Sequence, residues 1–316
     1  MRGLSRLACL SIALQAIALW AMASGPALAT LPAEQPYRIA SYGRLVTDVF
    51  INGQGPFSFL IDTASSRSLI FEHVRARLGL VPSQPEHLIV YGINDVSNAI
   101  PVRPDALSIA GEAIHGLTLG VLPDDASAGP DGVLGVDVLA RYFVVLDRTA
   151  MQIRLLPPGA DSARSFQEWP QAQLTPQPVK NLSIRFWYLK TSFNDHNFTS
   201  LLDLGASFTL INWSAAEVLG VHKRDFLAKG LPPDDLQDVL GKTSPAVRID
   251  GVTVRLPGKR WDNHAVVASD APVFSYFNTD DRPAAIVGLS LLGGDSLAID
   301  FAGGRLFIGP EARTGG

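Results

Sequence analysis

Two aspartates, Asp62 and Asp203, each close an apolar run and open a short stretch of small and hydroxylated residues, in FLIDTASSRSLI (59–70) and LLDLGASFTLIN (201–212). Aligned on the acid, each is followed six positions on by a hydroxyl, Ser68 and Thr209. Two carboxylates delivered by one repeated frame are the elements of a paired-acid site. Carboxylates held close together do not both ionise cheaply; they share a proton, and their titrations separate. One then serves as general base toward a water while the other, protonated, polarises a carbonyl.

The frame continues downstream, which separates a duplicated fold from two chance matches. Gly135 of DGVLGVDVL stands 12 residues before Asp147 and 18 before Ile153, and Gly288 of AAIVGLSLL stands 12 before Asp300 and 18 before Leu306. Between the acid and the glycine the copies differ, 73 residues against 85. Loops absorb such insertions at small entropic cost. Two copies of one supersecondary unit follow, and the length of 316 residues suits two domains of about 150.

The elements that must hold these residues read mainly as β, short β-branched and aromatic runs punctuated by Gly, Pro, Asn and Asp. RLVTDVFI (44–51), the turn Asn52-Gly53-Gln54-Gly55-Pro56 and FSFLID predict a hairpin with Phe57, Phe59 and Ile61 on one face, ending at Asp62. SIRFWYLKTSF, Asn194 to Asn197 and FTSLLD repeat it up to Asp203. Each acid therefore sits where a strand gives way to a loop. Short helices are predicted at Phe71–Leu78, stopped by Gly79, and at Ser214–Leu219, stopped by Gly220. The Pro-, Gln- and Ser-rich stretch 158–180 reads as the interlobe linker, between lobes 37–157 and 181–310.

Other chemistries find no support. The six histidines show no metal-ligand spacing, Ser65 and Ser66 lack a nucleophile frame, and Gly53-Gln-Gly55 lacks the helix of a nucleotide loop. Asp147 and Asp300 precede turns and read as hairpin carboxylates. Trp261-Asp262-Asn263-His264 has no functional reading.

Residues 1–29 read as an export signal: Arg2 and Arg6, an apolar stretch from Leu7 to Ala23, then Ala27-Leu28-Ala29, with Thr30 the expected mature start. Ser11 and Gln15 interrupt that stretch, which falls short of the ~20 apolar residues of a membrane span, so no stable insertion is expected after cleavage. Cys9, the one cysteine, leaves with the signal, so the exported chain has no disulfide framework. The expected location is the periplasm of a bacterium, or secretion from it. The net charge of −4, or −6 without Arg2 and Arg6, and the lack of a basic cluster exclude nucleic acid as a partner.

Apolar-Asp-Thr-Gly-Ala/Ser, followed later by apolar-apolar-Gly, is the pattern of pepsin-like and retropepsin-like aspartic proteases. Over about residues 40–310, most closely in INGQGPFSFLIDTASSRSLI, the chain resembles a bacterial, single-chain, two-lobe member of the retropepsin-like group. The resemblance implies two β-barrel lobes related by a pseudo-two-fold axis, with short helices. It implies an endopeptidase active as a monomer on an extended peptide or protein, without metal or organic cofactor. It makes Asp62 and Asp203 the catalytic pair, supported by Thr63, Ala64, Gly205, Ser68 and Thr209, with Gly135 and Gly288 near the floor. Tyr91-Gly92-Ile93 resembles the flap that closes over substrate, and the segment around Gly241 a weaker counterpart. Two positions depart from the pattern: Ala64 replaces a glycine, and Leu204 replaces the Thr or Ser that donates across the lobes. These departures motivate two rival readings: a peptide-binding or scaffold protein of the cell envelope on the same fold, and an enzyme completed by a partner or second copy.

Overall fold

The structure is a computed structural model describing residues 34–84, 87–92, 96–124, 129–178, 185–229, 234–237, 243–277 and 279–312. Residues 1–29, read from the sequence as an export signal, lie outside them, as do Ile93 and Gly241. Among the described residues, no helix is long and apolar enough to cross a membrane.

The two predicted hairpins form, and for the reason the alternation gives. Leu45–Ile51 pairs antiparallel with Gln54–Ile61, burying Phe57, Phe59 and Ile61 on one face. Arg185–Phe193 pairs with His196–Leu202 in the same way, burying Phe198, Ser200 and Leu202. The strand before each floor glycine then threads beside the acid-bearing strand. Gly132–Leu134 runs parallel to the first hairpin's return strand and antiparallel to Leu69–Phe71. Ala284–Val287 runs parallel to His196–Leu202 and antiparallel to Leu210–Ile211. Each half therefore holds its acid in a three-strand crossing that its own sequence builds twice.

The predicted helices are present as Glu72–Leu78, ended by Gly79 in the left-handed conformation (φ 62°), and Trp213–Val218. After them the halves also run alike. An antiparallel ribbon occupies 96–109 and 112–122 in the first half and Thr243–Leu256 with Lys259–Ser269 in the second. The ribbons match in length, so the second half's extra residues fall on either side of its ribbon. Helices Lys223–Lys229 and Val273–Tyr276 stand there.

A shared sheet joins the halves: Phe143–Asp147 pairs antiparallel with Asp295–Asp300, Val145 opposite Ala298. Asp147 and Asp300 sit at the ends of these strands as turn carboxylates. Asp147 accepts from the Thr149 and Ala150 N–H groups, and Asp300 from Gly303 N–H and the Arg305 guanidinium.

The stretch 158–180 is more than a connector. It carries the helix Ala160–Arg164, the strand Gln171–Gln173 on Arg305–Glu311 and the strand Thr175–Pro178 on Arg185–Phe193. Its sparse apolar residues account for this: Phe166 packs among Phe143 and Phe307, and Leu174 enters the main core. A Pro- and Gln-rich composition hides such isolated anchors.

Candidate active site

Both acids are positioned by their own backbones. The Asp62 N–H donates to the Leu134 carbonyl and the Asp203 N–H to the Val287 carbonyl, each at 3.0 Å, which ties each acid to the strand before its floor glycine. Each carboxylate then accepts from the two N–H groups just past the turn. Asp62 Oδ1 takes Ala64 N (2.8 Å) and Ser65 N (2.9 Å). Asp203 Oδ1 takes Gly205 N (2.8 Å) and Ala206 N (3.0 Å). One oxygen of each acid is thus fixed by its own loop.

The layer beneath is duplicated too. Ser68 Oγ accepts from Gly135 N (3.1 Å), and Thr209 Oγ1 from Gly288 N (3.3 Å). Below them, Asp137 Oδ1 accepts from the Ser68 N–H and hydroxyl, both at 2.8 Å, and Ser290 Oγ accepts from Thr209 N at 2.9 Å. Asp137 and Ser290 are supporting residues the sequence reading missed. Both stand two residues past a floor glycine, so the repeat itself was the signal. Neither glycine tolerates a side chain: a Cβ on Gly135 would lie 2.6–2.7 Å from Arg67 and Ser65 backbone atoms, and one on Gly288 would collide with the Phe208 carbonyl.

The two loops meet. Thr63 Oγ1 donates to the Leu202 carbonyl at 2.9 Å and accepts from Leu204 N–H at 3.0 Å, so its hydroxyl crosses from one lobe to the other. Leu204 makes no reciprocal bond from its side chain; it is fully buried in the main apolar core. Gly205 lies directly against Asp62, where a Cβ would come to 2.5 Å from the carboxyl carbon. The methyl of Ala64 is accommodated, packing against the second lobe's apolar cluster. Ala64 and Gly205, which hold the same place in the two copies, therefore differ in tolerance: the first lobe admits a methyl where the second does not.

A cleft of ≈ 720 Å³ opens over the pair. Asp62, Asp203, Ala64, Ser65 and Gly205 form its floor; Tyr91 and Gly92 line it too, at the end of the hairpin Leu88–Tyr91 with Val96–Val102. Its apolar walls include Leu69, Leu122 and Val133 from the first half and Leu201, Val273 and Phe277 from the second. Tyr276 meets the Tyr91 ring edge-on, centroids 5.4 Å apart. Val273, Tyr276 and Phe277 belong to the helix that lengthens the second half or directly follow it, which no local pattern in the sequence announces. Among the described residues, no group of three His, Cys, Asp or Glu side chains converges as a metal-ligand set.

Electrostatics separate the two acids. Burial raises Asp62 to about 6, against the backbone donors and the positive charge of Arg44. Burial raises Asp203 further, to about 8, and the negative charge of Asp62 adds to it. As a pair they hold one proton across the interval between.

The comparisons with known proteins agree with this geometry. Residues 47–138 match the family model described as aspartyl protease. No curated protein matches the chain. Among solved structures, an aspartic proteinase from Irpex lacteus is similar at a TM-score of 0.54 and 13% identity, over 89% of this chain and 98% of that one. The chain thus folds as a mainly β, two-lobe molecule like that proteinase, with the aspartyl protease pattern in its first half.

Proposed function

We propose that the protein is an aspartic endopeptidase that hydrolyses peptide bonds through Asp62 and Asp203. One observation carries the reading: two carboxylates, each held through one oxygen by equivalent backbone donors, meet on the floor of a cleft beside the hairpin end Tyr91-Gly92. In the singly protonated pair, the more acidic Asp62 takes a proton from water as the oxygen attacks the peptide carbonyl. Asp203 gives its proton to the carbonyl oxygen. Collapse of the tetrahedral species breaks the C–N bond: the proton held by Asp62 goes to the departing nitrogen, and a hydroxyl of the gem-diol returns its proton to Asp203 as the new carboxyl forms, restoring the singly protonated pair. The shape complements an extended peptide, with apolar walls on both sides of the pair.

The substrate is a peptide or protein, the active form a monomer, and residues 1–29 direct export to the periplasm or medium. Peptide binding without hydrolysis is the second reading, favoured by the buried Leu204 in place of a cross-lobe hydroxyl.

The test is mass spectrometry of a complex peptide pool incubated with the chain from Thr30 onward between about pH 3 and 9. Expected are new cleavages that fall about 10²–10⁴-fold in Asp62→Asn and in Asp203→Asn. A peptide analogue with a tetrahedral hydroxyl at the scissile position should block them. A folded protein that binds peptides and cuts none at any pH would establish the second reading.

A further inference from the structure

Arg44 stands immediately before the strand Leu45–Ile51, and strand register fixes its place in the duplicated frame. Val46 pairs with Leu60 and Tyr188 with Leu201, and those partners each precede their aspartate by two residues. Two residues back from Val46 and Tyr188 stand Arg44 and Phe186, so these occupy equivalent places in the two lobes. Phe186 is buried in the cluster that holds the cleft residues Leu201 and Val273, with Ala64 and Phe277 packed against it. Its ring meets Phe277 edge-on at 5.4 Å. Where the second lobe backs the cleft with an aromatic ring, the first lobe puts a guanidinium.

That guanidinium makes no side-chain hydrogen bond among the described residues. Its Nε is buried without a hydrogen-bond partner. Among the described residues it forms no close ion pair with a carboxylate, though its charge reaches Asp62 and Asp203, and the Tyr42 ring lies 5.9 Å from its central carbon. Nearby arginines are engaged: Arg38 with Asp48, Arg154 with Glu34, Arg148 on the Gly293 carbonyl. A partly desolvated cation without a partner is unfavourable, and the fork of a guanidinium matches a carboxylate in two parallel hydrogen bonds.

We propose that Arg44 is a specificity residue that anchors a carboxylate of the bound peptide, at a position across the dyad from the apolar wall of Leu201, Val273 and Phe277 that Phe186 backs. This rests on the reading of the cleft as a peptide site. The carboxylate is an acidic side chain or a free C-terminus. Arg44 is near enough to lower both Asp62 and Asp203, and the interval in which the pair holds one proton lies where a substrate carboxylate is ionised.

The test reads binding, so it stands apart from catalysis. Immobilised Asp203→Asn protein is equilibrated at pH 7 with randomised, acetylated octapeptides, one pool amidated at the C-terminus and one with a free acid. Retained peptides are sequenced by mass spectrometry. Expected is about fivefold or greater enrichment of Asp and Glu at one position of the amidated pool, or of the free-acid pool over the amidated one. The first result assigns the side chain as the source, the second the C-terminus. Either enrichment should vanish in Asp203→Asn/Arg44→Gln and turn toward Lys and Arg in Asp203→Asn/Arg44→Glu. Arg44→Met replaces the Gln variant should that one not fold. Retention of peptides with no acidic enrichment, or with enrichment that survives loss of the arginine, overturns the proposal and leaves the peptide site standing. Retention of no peptides overturns both.

Discussion

At the scale of single residues, the site depends on how two carboxyls and one hydroxyl are held. Thr63 is the cross-lobe hydroxyl: it serves a carbonyl and an N–H of the opposite lobe, both buried. Thr63→Val should cost about 1–3 kcal/mol, read by denaturant unfolding, while Thr63→Ser recovers most of it. Gly205→Ala should keep the fold and lower kcat strongly, because the added methyl takes the space of the Asp62 carboxyl. The pH profile follows from the two acids. Activity should rise as pH passes about 6, where Asp62 gives up its proton, and fall above about 8, where Asp203 loses the last one. A pH–rate profile of kcat/KM checks this, and an optimum near pH 3 would contradict it. The acids themselves were legible in the sequence because a repeated frame surrounds each. Arg44 was not, because its meaning comes from what it fails to touch.

At the scale of elements, duplication explains the scaffold and insertion explains the difference between its halves. The strands, floor glycines and supporting hydroxyls are paired position for position, since two copies of one unit solve the same backbone problem in the same way. Among the described residues helix Val273–Tyr276 has no such mate, and it and the residue after it bring Val273 and Phe277 to the cleft. Tyr276 packs edge-on against Tyr91, which lines the cleft. Tyr276→Ala should therefore raise KM more than it lowers kcat, with peptides carrying large apolar residues beside the scissile bond affected most. The stretch 158–180 shows the limit of composition as a guide. Its polar character announced a linker, but Phe166, Ala172 and Leu174 are buried and fasten it to both sheets.

At the scale of the whole molecule, the buried acid pair carries a stability cost that pH reveals. Both carboxyls have folded values above their ordinary ones, so the folded state favours their protonated forms. Their contribution is fully present below the unfolded value near 4 and is lost as pH rises through about 6 and about 8. Melting temperature should accordingly fall from pH 5 to pH 8 in the wild type and fall less in Asp203→Asn. At pH 8 that variant should melt at least about 2 °C above the wild type, the shift that roughly 1 kcal/mol gives a domain of this size. Equal melting curves for the two proteins across that range would show that Asp203 is not desolvated.

The sequence by itself determined the duplicated β frame, the two acids at strand ends, the glycines in register downstream and the hydroxyls six positions past each acid, while the floor role of those glycines and the hairpin at Tyr91 came from the resemblance. Each of the former is written in local spacing, and local spacing survives because strand alternation, turn chemistry and glycine at a close approach are short-range requirements. Only the tertiary structure decided how the halves face each other. It set Thr63 across to Leu202 and Leu204, Gly205 against Asp62, and Tyr276 against Tyr91. These are contacts between segments far apart in the chain, and neither residue of such a pair carries a mark of the other in its own neighbourhood.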